Sequence, residues 1–215
     1  MTLCLALAPS VVFTKMPESG KYKNEIFKNV YIHWSNTDKT MSTAITPPDA
    51  TEYNEFFTNY IAAAKTEDLL AGLEASGAYM ILFAKGLTEE QLLSRYQPGK
   101  WSLKELLVHM MDSERIFAYR ALRFARQDDT PLPGFDENKY IAPSKADART
   151  IESILTEYAA VRTATIELYR SFDEEALNQR GEGSGNRISV RALGYSILGH
   201  EVHHLHIIKE RYLQQ

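Results

Sequence analysis

The chain has 215 residues, 44% of them hydrophobic and 24% charged, with a formal net charge of −4. That length supports one good core, or one core with an extension, and the scattered Lys and Arg of a mildly acidic chain leave no electrostatic footprint for nucleic acid. No apolar run approaches the ~20 residues that span a bilayer, and the single cysteine, Cys4, excludes an internal disulfide and fits a reducing compartment.

The opening Met1–Ala8 is apolar but has no basic residue before it and is followed by Pro9, so it makes a poor secretory signal. The expected location is the cytoplasm. Residues 1–48 show no sustained helical period, and Pro47-Pro48 closes them. They read as an N-terminal extension, either disordered or translated from a mis-assigned start, with Met41 as the true start; the alternative is an arm that packs on the domain. Residues 49–215 read as the folded domain.

From Asp49 the pattern turns helical. Tyr53, Phe56, Phe57, Tyr60 and Ile61 suggest a short amphipathic arm. A first long helix is predicted over Asp68–Lys85, stopped by Gly86. Thr88-Glu-Glu-Gln91 is a capping box for a short turn or helix. Ser102-Leu-Lys-Glu105 is a second box, with Trp101 placed to staple against Leu106, and it opens a helix to about Arg126. A long connection, Asp128–Pro143, follows, of a length that usually carries function or covers something. A third helix is predicted over Asp147–Arg170, a polar turn region over Asp173–Gly185, and a last helix over Ile188–Tyr212. Four helices and no convincing strand predict an all-α four-helix bundle with one long crossover loop.

The last helix contains Gly199-His-Glu-Val-His-His-Leu-His206. At about 100° per residue, with Ile197 at zero, the apolar face takes in His204 near −20° and reaches His200 near −60°. His203 and His206 fall on the wet side. On the second helix, His109 lies near −60° from Leu106, again at the edge of the apolar face. One inward histidine is most simply a hydrogen-bonded core residue. Three on one bundle, with no paired acids, leave lone pairs unsatisfied unless something binds them. Neutral imidazoles suit a divalent transition metal such as Zn or Ni, and three protein ligands leave a position open for water or substrate.

Other polar residues have simpler readings. Glu201 faces inward and forms an E-x-x-H unit with His204, but the other helices show no matching core carboxylates, so a di-metal site is not expected. A buried salt bridge, for example with Arg120 or Arg191, is its first reading, and orienting a histidine is its second. Asp112 reads as solvated. Arg115, Arg120, Arg123 and Arg126 read as a surface and interface set, one of which could bind a carboxylate. Tyr119 and Tyr195 read as core, and Gly181–Asn186 as a turn.

Trp101-Ser-Leu-Lys-Glu-Leu-Leu-Val-His109, with Asp112 and Glu114, resembles the second-helix motif of the DinB/YfiT-like family of four-helix-bundle metalloproteins. Gly199-His-Glu-Val-His-His204 resembles its last-helix H-x-x-x-H motif. The likeness covers roughly residues 50–215. It implies a metal held by His109, His200 and His204, a homodimer and a small-molecule substrate, while the charge balance and the lack of a long apolar run speak against a nucleic-acid or membrane partner. Members with known chemistry imply a transferase that joins a low-molecular-weight thiol to a small electrophile. The alternative is a non-catalytic metal- or ligand-binding stress-response protein.

Overall fold

The structure is a computed structural model and describes residues 44–214. The readings of residues 1–43, including Met41 as the start and Cys4 as the single cysteine, lie outside the described residues. Ile45, assigned from sequence to the extension, is buried. Its carbonyl accepts from Leu69 N and from the Tyr195 hydroxyl, so the folded unit reaches back past Pro47.

The helices begin where side chains cap them. After two single turns comes α1, Thr58–Ala64, which ends on Lys65 in the left-handed conformation (φ 42°). Helix α2, Leu69–Lys85, is capped by Asp68 through Leu70 N and stops at Gly86. Both predicted capping boxes close: Thr88 with Gln91 opens α3, Glu89–Leu93, and Ser102 with Glu105 opens α4, Leu103–Ala125. Each box satisfies backbone donors that the first helical turn leaves free. The long connection carries α5, Glu137–Ser144. Helix α6, Ile151–Arg170, starts later than its periodicity predicts, because Ala146–Ala148 makes a 3-10 turn and Thr150 supplies the cap.

The stretch predicted as a polar turn contains more than a turn. It forms α7, Glu174–Asn178, and then a hairpin of β1, Arg180–Gly183, and β2, Asn186–Ser189. Arg180 pairs with Ser189 and Gly183 with Asn186, around Ser184 and Gly185 at φ 56° and 74°. Two central residues at positive φ match the twist of a tight hairpin, while strands of four residues are too short for period-2 alternation to stand out. Ser189 then caps α8, Val190–Ile207, which runs on into a π-helical turn, Ile208–Tyr212.

The core is built around α8, whose residues from Val190 to Glu201 are all buried. Its neighbours are α1, α2 and α4, while α6 packs on α2 and α4. The four long helices therefore form a ring in the order α2, α6, α4, α8. Successive helices α2 and α4 stand across the bundle from each other, as do α6 and α8, so the bundle is not a simple series of hairpins. No helix among the described residues is long and apolar enough to cross a membrane.

Candidate metal centre

Helix α4 delivers His109 and α8 delivers His200 and His204, one turn apart, to the same place. His109 Nε2 lies 3.2 Å from His200 Nε2, and His204 Nε2 lies 3.0 Å from it. One ligand nitrogen from each ring fits within 4.8 Å of the other two, and no fourth Cys, Asp or Glu donor joins this cluster among the described residues. His109 and His200 are each 8% exposed. His203 and His206 are exposed, as the helical wheel predicts, and His206 sits 3.0 Å from Glu210.

Burial, more than any charge, sets the protonation of the three rings. It holds His109 down to about 4, opposed by the Glu137 carboxylate, and His204 down to about 3. His200 is lowered well below the ordinary value, by burial first and by its histidine neighbours second. All three are neutral at pH 7, with a lone pair each to offer.

Hydrogen bonding among the rings alone does not satisfy them. A neutral imidazole nitrogen carries either one proton or one in-plane lone pair, so His200 Nε2 cannot serve both neighbours well. The His204 Nδ1 is buried without a partner. Two nitrogens on one tetrahedral ion, each at 2.0–2.1 Å, would stand about 3.3 Å apart. The observed 3.0 and 3.2 Å separations are close to that, so the donor set fits a mononuclear transition-metal ion.

The walls come from elements outside the four-helix ring. The Trp101 ring, just before α4, lies 4.7 Å from His109, centroid to centroid. Tyr60 on α1 meets His200 edge-on at 5.4 Å and His203 at 5.6 Å. A 420 Å³ pocket lined by Tyr96, Gln97, Lys100 and Arg211 opens beside Trp101. Tyr212 packs on Tyr96 there and donates to the Trp101 carbonyl.

Several predicted roles change. Glu201 is buried in a salt bridge as expected, but with Arg162 of α6, not Arg120 or Arg191. Glu114 is a buried core carboxylate that the sequence reading did not find. Arg120 does not belong to the surface set: it is buried, donating to Pro133 O and Ser184 Oγ, which ties the crossover to the hairpin. Arg115 and Arg123 do form surface ion pairs, with Asp112 and Asp128. Asp112 is half-buried, and burial raises its carboxyl. Tyr195 is core, whereas Tyr119 is exposed.

Residues 72–208 match the family model of the DinB superfamily. The chain belongs to the DinB superfamily. A relative from Oceanobacillus iheyensis, described as a candidate metal-dependent hydrolase, is 29% identical over 125 residues, which is 57% of this chain and 71% of that protein. The fold is similar to that of YfiT from Bacillus subtilis, described as a probable metal-dependent hydrolase with an unusual four-helix bundle topology. The TM-score is 0.56 at 17% identity, over 76% of this chain and 91% of that one.

Proposed function

We propose that this DinB protein is a divalent-metal-dependent enzyme of the cytoplasm, a homodimer, that joins a low-molecular-weight thiol to a small electrophile. The observation that carries the metal reading is the convergence of three neutral imidazole nitrogens with no fourth protein donor among the described residues. His109, His200 and His204 would hold the ion, Zn or Ni by donor type. Bound there, it would supply positive charge that lowers the pKa of a thiol or water at its open position.

The chain's own residues do the rest. The three rings present lone pairs without first having to lose protons, since burial keeps them neutral. Trp101 and Tyr60 cover the outer edges of His109 and His200 and keep bulk water from them. Lys100 and Arg211, in ion pairs with no described residue, line the 420 Å³ pocket with Tyr96 and Gln97, where they suit a carboxylate on the thiol. No cysteine of the chain is needed as nucleophile.

Hydrolysis is the second reading, favoured by the descriptions of both relatives as metal-dependent hydrolases. Elemental analysis of tag-free protein tests the site, with one transition-metal ion per chain expected. Assays of that protein with thiol–electrophile pairs, and with small esters and amides, separate the reactions. Metal-dependent conjugation supports the first reading and metal-dependent ester or amide cleavage the second. Bound metal with neither activity supports a sequestration protein and overturns both.

A further inference from the structure

Beneath His200 lies a second cluster of charge. Arg162 of α6 donates to Glu114 of α4 through Nε at 3.0 Å and Nη2 at 2.9 Å. It donates to Glu201 of α8 through Nη2 at 2.7 Å and Nη1 at 3.3 Å. Nη1 also reaches the Leu73 carbonyl of α2 at 3.0 Å, so one guanidinium ties all four long helices together. Gly77 makes room for it, since a Cβ there would stand 3.1 Å from Arg162 Cγ. Glu201 further accepts from the Ser76 and Tyr158 hydroxyls.

The formal charges do not balance. Two carboxylates face one guanidinium, and all three side chains are at most 5% exposed. The hydroxyl donors on Glu201 stabilise a carboxylate without adding charge; Tyr158 stays a phenol, because burial pushes its pKa up. The next buried cation along α4, Arg120, is directed at Pro133 and Ser184 instead. An unbalanced buried charge is strongly unfavourable unless something compensates it.

The compensation is close at hand. Glu114, Arg162, Glu201 and His200 line one narrow crevice together with Met110, Phe117 and Ile197. The charge cluster thus reaches the histidine site at one of its three ligands, His200. We propose that the surplus negative charge of the Glu114–Arg162–Glu201 cluster is held for the metal ion, and that Glu114 is a positioning residue that sets metal affinity without touching the ion. The inference rests on the metal reading above. A divalent cation at the three histidines offsets the surplus across a medium of low dielectric, where charges interact strongly over several ångströms.

The test is Glu114→Gln, which removes the surplus while leaving Glu201 and Arg162 paired. Two quantities are measured: the Zn2+ dissociation constant, by competition with a chromophoric chelator, and the unfolding temperature of the metal-free protein. The expected result is Zn2+ binding weakened about tenfold or more, with metal-free protein as stable as wild type or more so. Unchanged affinity in a folded variant overturns the proposal. So does weaker binding that comes with a steep fall in stability, because that marks a purely structural residue. Failure of wild type to bind Zn2+ at all would instead sink the metal reading itself.

Discussion

Gly199 and Tyr60 touch backbone to backbone: a Cβ at position 199 would stand 1.7 Å from the Tyr60 carbonyl oxygen. This contact lets α1 lie against α8, and it seats the Tyr60 ring on His200. In Gly199→Ala the helix gains about 1 kcal/mol of propensity, but the obstruction is backbone and cannot rotate away. Overpacking of this kind costs about 3 kcal/mol or more. The net loss expected in denaturant unfolding is about 2 kcal/mol. A variant as stable as wild type would mean that α1 is held by something other than this contact.

Four histidines crowd residues 200–206, and they should separate cleanly on substitution. His203→Ala removes an exposed ring and is expected to keep one metal ion per chain. His204→Ala and His109→Ala each remove one of three ligands, with affinity expected to fall about 100-fold or more. Elemental analysis after dialysis against a weak chelator reads the difference. Equal metal content in His203→Ala and His204→Ala would place the ion elsewhere.

The helical wheel carries more than the histidines. On α8 it placed His200 and His204 inward and His203 and His206 outward, and burial agrees. It places Glu201 inside as well, and Glu201 is buried. Arg162 also falls inside the apolar arc of its helix, between Tyr158 and Leu155, and Glu114 falls beside Leu103 on its own. Both were legible as buried charges, and together they identify the partner of Glu201 that helix-by-helix reading missed. Tyr60 was not legible in this way. Its place over His200 depends on the approach of α1 to Gly199, a contact between segments about 140 residues apart that no local period encodes. The hairpin was missed for a different reason: four-residue strands with three glycines between Gly181 and Gly185 read as a turn.

The histidines should make the metal-free protein acid-sensitive. Burial lowers His109 to about 4 and His204 to about 3 in the folded state, from an ordinary value of 6.5. Between those limits the unfolded chain binds more protons than the folded one, so stability falls as pH falls. The contribution is fully present above about 6.5 and is lost progressively on acidification toward about 4. Unfolding temperatures of chelator-treated protein across this range should decline, and His204→Leu should flatten the slope. An identical slope in that variant would assign the acid sensitivity to carboxylates instead.

Arg162 makes the strongest stability prediction. Its guanidinium is the only cation bonded to Glu114 and Glu201 among the described residues. Arg162→Leu would strand two buried carboxylates, where the loss of one partner typically costs about 3–5 kcal/mol. Denaturant unfolding should show a loss of that size or failure to fold. Removing all three charges tests the cause: Glu114→Leu, Arg162→Met and Glu201→Leu together leave an apolar layer of similar volume. Such replacements are often neutral or stabilising, so the triple variant should recover most of the stability lost in Arg162→Leu. It should not recover Zn2+ affinity, because the surplus negative charge beside His200 is gone. If the triple variant is as unstable as Arg162→Leu, packing around Gly77 and Tyr158, rather than stranded charge, governs this layer.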